Sequence, residues 1–175
     1  MIKLKEIEVK VIEIDKSRVI KKLFELGATK IGEYDIKANL FDDINKKFNE
    51  KKQLIRLREK GKVFITFKDK ASNGFAREAE EIEFEVSDFN LAKTFLEKIG
   101  LIAKEIKPKH RTTFKLNDVL IEIDEYAEIP VFLEIEAKNE EKIKEIIKLL
   151  DLPKENVKNW NGFELFKYYN KELYV

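Results

Sequence analysis

Glu6-Ile7-Glu8-Val9-Lys10, the EIEVK of residues 6–10, is the stretch whose reading decides the fold. A strand alternates its side chains between two faces, so Ile7, Val9 and Val11 point one way and Glu6, Glu8 and Lys10 the other. Two carboxylates and an ammonium then share a face. In a half-solvated antiparallel sheet such a face meets water, and the rest of the chain has to say whether it does so here.

The alternation recurs outward from this stretch. Residues 53–59 set Ile55 and Leu57 against Arg56 and Arg58, and residues 63–68 set Val63, Ile65 and Phe67 against Thr66 and Lys68. Ile82, Phe84 and Val86 oppose Arg77, Glu81, Glu83 and Glu85, while Thr112, Phe114 and Leu116 oppose Lys109, Arg111 and Lys115. Val119, Ile121 and Ile123 oppose Glu122 and Asp124, and Leu133, Ile135 and Ala137 oppose Phe132, Glu134 and Glu136. Residues 36–43 make a less regular strand, followed by a polar loop to Lys52. About eight strands each have one apolar and one charged face, joined mostly by short connections that suit antiparallel neighbours.

An open sheet of this composition would show water a long charged face with bare edges, which natural sheets avoid. A barrel removes the edges, and helices on its apolar outside turn the charged faces inward. The expected fold is therefore β-rich α+β: an eight-stranded antiparallel barrel, closed or nearly closed, forming a tunnel with a polar charged interior and helices packed outside. Unpaired ions are too costly for a dry interior, so the tunnel must be wet, internally paired or filled by a charged ligand.

Apolar residues at intervals of three and four predict helices over Lys16 to Leu26, Asp88 to Ile99 (Leu91, Ala92, Phe95, Leu96, Ile99) and Glu140 to Leu150. Asp15 or Ser17 and Ser87 or Asp88 are candidate N-caps, and Gly27 and Gly100 fall where helix ends take a left-handed residue. Trp160 reads as a packing residue closing the barrel, and the Lys171-Glu172-Leu173-Tyr174-Val175 tail as solvent-exposed.

No Pro- or Gly-rich linker divides the 175 residues, so one domain over 1–175 is expected. Thirty-five Lys and Arg nearly cancel thirty-four Asp and Glu, and the formal charge of +1 gives no reason to expect nucleic acid. The absence of Cys excludes thiolate chemistry and Cys-bound zinc, and the single His110 excludes sites needing several imidazoles, leaving oxygen ligands for any metal. No run of about 18 apolar residues calls for membrane insertion, and a cytoplasmic location is expected.

Taken in order, Glu6, Glu8 and Lys10, the Arg56/Arg58 pair, Lys68, Lys109-His110-Arg111, Asp124, and the Glu134/Glu136 pair resemble the CYTH superfamily, over residues 4 to about 137. These triphosphate tunnel metalloenzymes include class IV adenylyl cyclases, thiamine triphosphatases and inorganic triphosphatases; the pattern looks most like the class IV branch and its archaeal relatives. The resemblance implies that Lys10, Arg56, Arg58, Lys68, Lys109 and Arg111 bind the phosphates of a substrate. It implies that Glu6, Glu8, Asp124, Glu134 and Glu136 hold Mg²⁺ or Mn²⁺, with Glu6, Glu8 and Asp124 nearest the chemistry and Glu81 and Glu83 close by. For Asp124 the competing role is pairing with a neighbouring base. Ala38-Asn39-Leu40-Phe41-Asp42 departs from the acidic and aromatic strand common in the cyclase branch.

The expected function is metal-dependent hydrolysis of triphosphates, inorganic triphosphate foremost and nucleoside triphosphates second. The alternatives are a class IV adenylyl cyclase making cyclic AMP, and a non-catalytic module binding polyphosphate or triphosphate ends. Besides the substrate, a homodimer is the partner to be considered. His110 has the opposite parity to Lys109 and Arg111 and should point outward.

Overall fold

Most strands of the computed structural model turn their β-branched and aromatic positions to one side and their ionic positions to the other. The structure describes residues 2–175, and all their side chains save those of residues 2–6 and 70–73. The strands are β1 (Ile2–Val11), β2 (Thr29–Asp42), β3 (Gln53–Lys60), β4 (Lys62–Asn73), β5 (Arg77–Val86), β6 (Ile102–Leu116), β7 (Val119–Tyr126), β8 (Ile129–Ala137) and the two-residue β9 (Val157–Lys158). The helices are α1 (Lys16–Glu25), α2 (Lys47–Glu50), α3 (Phe89–Lys98), α4 (Glu140–Leu149) and α5 (Gly162–Tyr168).

All pairings in the sheet are antiparallel, in the order β5-β4-β3-β2-β6-β7-β8-β1-β9, and β5 also pairs with β1. That last pairing closes β1 to β8 into the expected ring. Where β5 leaves the edge of β1, β9 takes its place on Lys10 and Val11.

The apolar faces point outward and are covered by helices. Ile7, Val9, Val11, Ile121, Ile123, Leu133 and Ile135 pack with Val19 and Leu23 of α1 and Ile143, Ile146, Ile147 and Leu150 at α4. On the opposite side, Ala92 and Leu96 of α3 pack over Phe41 and Leu57. Asp15 and Asp88 are the caps, their carboxylates accepting from Arg18 N and Leu91 N. Gly27 and Gly100, with φ of +79° and +96°, let the chain leave α1 and α3 at angles that strain a residue with a Cβ.

The tail differs from its expectation. Leu173 is buried with Leu165 and Phe166 of α5 against Phe132, and Trp160 packs on the same cluster. Leu173 O accepts from Lys107 N, and Tyr174 bridges Ile106. Two bridging residues have no periodicity to announce them, so the docking is invisible in the sequence. None of the described helices is long and apolar enough to cross a membrane.

Candidate functional site

The inward faces surround a cavity of about 380 Å³. Among the described residues nine bases and six acids line it, so an anion is the ligand that balances its charge. Every base expected from the sequence is there: Lys10, Arg56, Arg58, Lys68, Lys109 and Arg111. Lys60 and Arg77 join them; the parity of Arg56 and Arg58 extends to Lys60, and that of Glu81 and Glu83 to Arg77, which is the signal by which both are readable.

Register decides which charge meets which. Glu8 lies opposite Glu136 and Lys10 opposite Glu134 across β1 and β8. Lys10 Nζ is 2.9 Å from Glu134 and 3.7 Å from Glu8, and Arg77 Nη1 is 3.1 Å from Glu8. Burial alone would lower the Lys10 pKa, but Glu134 and Glu8 outweigh it and raise the value above the ordinary one. The side chain of Glu6 lies outside the described residues; its backbone pairs with Ala79 of β5.

Arg111 occupies the middle of the ring. It donates to Asp124, Glu122 and Glu134, and Lys109 donates to the same Asp124, which is fully buried. Asp124 is thus paired with two neighbouring bases in this arrangement. Glu122 also accepts from Lys60 at 3.2 Å. Burial works to raise the Glu122 pKa, yet Arg111 and Lys60 bring it down to about 2.

The opposite wall is less fully paired. Arg58 donates to Glu83 at 2.9 Å and Lys68 lies 3.0 Å from Glu81, whereas Arg56, among the described residues, has Thr66 at 3.4 Å and Glu83 at 3.8 Å. The Nε atoms of Arg56 and Arg58 are buried without a hydrogen-bond partner among the described residues. Burial and the neighbouring Arg56 push the Arg58 pKa down to about 10. Two half-buried guanidiniums side by side, each with a buried Nε left unused, form a place prepared for an anion.

Ala38 and Leu40 of the divergent strand also face the cavity, opposite Arg58 and Arg56. Asp42 instead accepts from the backbone of Asp43, Phe48 and Asn49 at the turn into α2. Phe163 and Leu54 extend this apolar part of the wall beside Asn49 and Gln53. His110 faces outward, hydrogen-bonded to Asp35 at 2.8 Å and Glu33 at 3.0 Å, bonds that raise its pKa.

Among the described residues the metal donors lining the cavity are oxygens, the charged ones all carboxylates, which suits Mg²⁺ or Mn²⁺. Among the described residues no three acidic or His side chains are gathered closely enough to hold an ion. Glu8 and Glu134 are engaged by Arg77, Lys10 and Arg111 in this arrangement.

Comparison with known proteins follows the same lines. The family model described as "CYTH domain" matches residues 4–157. The chain is 31% identical over 172 residues to the "Putative adenylate cyclase MJ0240" of Methanocaldococcus jannaschii, covering 91% of this chain and 97% of that one. Its structure is similar to the PH1012 protein of Pyrococcus horikoshii, with a TM-score of 0.77, 28% identity, and 91% and 98% of the two chains covered. It also shares its fold with a Hippeastrum protein described as a putative adenylyl cyclase with a dominant triphosphatase activity, at a TM-score of 0.70 and 15% identity over 98% of each chain.

Proposed function

The chain belongs to the CYTH domain family, and from that premise we propose that it is a divalent-metal-dependent triphosphatase acting on a linear triphosphate, inorganic triphosphate first and nucleoside triphosphates second. The observation that carries this reading is the adjacent, half-buried Arg56 and Arg58, whose buried Nε atoms have no partner among the described residues, in a cavity where the described bases outnumber the described acids. Leaving a buried donor unsatisfied costs about 1–3 kcal/mol, and a phosphate oxygen recovers that cost for each Nε. The Hippeastrum protein, with the same fold, is described as having a dominant triphosphatase activity.

Phosphoryl transfer asks mainly for positioning and charge stabilisation. Arg56, Arg58 and Lys68 hold the phosphate chain from one wall, and Lys10, Lys109 and Arg111 from the other. Asp124 keeps Arg111 and Lys109 aimed across the cavity. Glu8, Glu134 and Glu136, with Glu6, are the residues that would hold Mg²⁺ or Mn²⁺, whose contribution when bound is Lewis-acid stabilisation of the reacting phosphoryl group. With His110 outside, proton acceptance falls to a carboxylate of this set.

Cyclisation of ATP is the second reading. It is favoured by the apolar stretch of wall at Leu40, Leu54 and Phe163, which an inorganic anion leaves unused, and by the name of the Methanocaldococcus relative. Product analysis by chromatography with triphosphate and ATP in parallel, each with Mg²⁺ and Mn²⁺, separates the two. Hydrolysis of triphosphate with a kcat/KM no lower than that for ATP is expected, without cyclic AMP as a major product. Cyclic AMP as the main product, with triphosphate uncut, reverses the order. Arg58→Ala is expected to weaken triphosphate binding by about 1.5–3 kcal/mol, measured by calorimetry; equal affinity would remove Arg58 from the grip.

A further inference from the structure

The apolar residues of α3 are divided in an unusual way. On α4, Ile143, Ile146 and Ile147 are all buried, as an amphipathic surface helix requires. On α3 only Ala92 and Leu96 are, while Leu91, Phe95 and Ile99 remain 67%, 60% and 59% exposed. These three recur at intervals of four and form a second apolar stripe that none of the described residues covers.

The stripe has neighbours. β5 leads directly into α3, and its outward Ile82 and Phe84 are 47% and 51% exposed. Phe84 lies opposite Ile65 of β4, which packs against the cluster beneath α3, so the strand surface and the helix are contiguous. Ile102, just past the helix, is 42% exposed. At roughly 200 Å² for a large side chain in water, these six residues leave about 600 Å² of apolar surface, the upper end for a monomer's largest patch.

We propose that this surface, α3 with the outer face of the β4–β5 hairpin, is a two-fold interface between two copies of the chain. The proposal is independent of the reaction carried out in the tunnel. A two-fold interface must be self-complementary, and the α3 stripe is: antiparallel helices crossing at Phe95 set Phe95 on Phe95 and Leu91 on Ile99 twice over. A stable interface buries about 800 Å² per partner; the six side chains supply most of it as an apolar centre, with Asn90, Thr94 and Lys98 at the rim. A lipid surface is the poorer occupant. Helices that lie on membranes have predominantly basic flanks, whereas Lys93 and Glu97 pair with each other at 4.0 Å and Asp88 stands at the helix start.

Sedimentation equilibrium of the full chain over a range of concentrations tests the interface. The wild-type chain is expected to sediment at twice its 20.7 kDa. Phe95→Lys is expected to raise the dimer dissociation constant at least tenfold while leaving the far-ultraviolet circular dichroism unchanged. Ile44→Lys, at a more exposed site on the loop before α2, should remain dimeric. A wild-type chain that is monomeric at every concentration overturns the proposal, as does a Phe95→Lys variant that dimerises as well as wild type. A monomer that instead floats with vesicles of phosphatidylcholine and phosphatidylserine assigns the surface to lipid and also overturns it.

Discussion

Glu122 has an oxygen for each of two cations, Arg111 and Lys60, and the thermodynamic weight of that arrangement shows on acidification. In the folded chain its carboxyl takes up a proton only near pH 2, against about 4.3 for an ordinary Glu. As the pH falls, the unfolded chain is therefore protonated first and draws the equilibrium towards itself. The stabilisation is complete above about pH 4.3 and is lost on the way down to about 2. Glu83, lowered by Arg58 and Thr66 against the opposing effect of burial, acts in the same direction. Thermal unfolding followed by circular dichroism should give a level midpoint between about pH 7 and 5 and a falling one below about 4. Glu122→Gln should lower the midpoint at neutral pH and flatten the acid limb; an acid limb identical to wild type would show that the pairing contributes nothing to stability. Alternation along β7 announces that Glu122 and Asp124 share a face, but which bases they meet depends on inter-strand register. The sequence therefore delivers the members of the charged interior without their partners.

Among the elements, α5 makes the most specific demand on its cap. Asn161 accepts from Glu164 N while Glu164 accepts from Asn161 N, a reciprocal pair that fixes the first turn. That turn presents Phe163 to the cavity and Leu165 and Phe166 to the cluster containing Phe132. Asn161→Ala should cost about 0.5–2 kcal/mol, measured by urea unfolding; Asn161→Asp should recover most of it, and an unchanged midpoint for the Ala variant would mean that the tail's docking alone sets the helix. The three long helices are legible because their apolar spacing persists over ten residues, and the strands because an ionic residue at every second position matches the period of a strand and breaks that of a helix. Seven-residue α5 and four-residue α2 are too short for such a signal. The spacing in α3 names five apolar positions correctly and does not tell which of them face the barrel, because they span an arc too wide for one contact. Only the seating of α3 over Leu57 and Phe41 selects Ala92 and Leu96.

For the molecule as a whole, the ring divides the chain into two runs of neighbouring strands, β2 to β5 and β6 to β8, each joined in sequence order except for the helices and turns between them. What remains are the long-range seams: β2 with β6, and β1 with both β8 and β5. β1 is the stave that completes the circle, and its Glu8 reaches Arg77 across 69 residues of chain. Loop-closure entropy makes such distant pairings late events. The closed wall thus has a consequence in time. Until β1 is seated, the interior ions remain hydrated, and the cost of removing that water falls on the step that seats it. Val9, buried beneath α4, belongs to this last stave. Val9→Ala, destabilising by roughly 1–3 kcal/mol, should act almost wholly on the unfolding rate, whereas Leu57→Ala in β3 should slow folding itself. Stopped-flow chevrons of both variants give the answer, and a Val9→Ala variant that folds as slowly as Leu57→Ala would place β1 in the nucleus. If β1 does close last, Glu8 and Lys10 come to face the wall of Arg56, Arg58 and Lys68 only as the native state forms, so a ligand that needs both walls has no folding intermediate of this chain to bind.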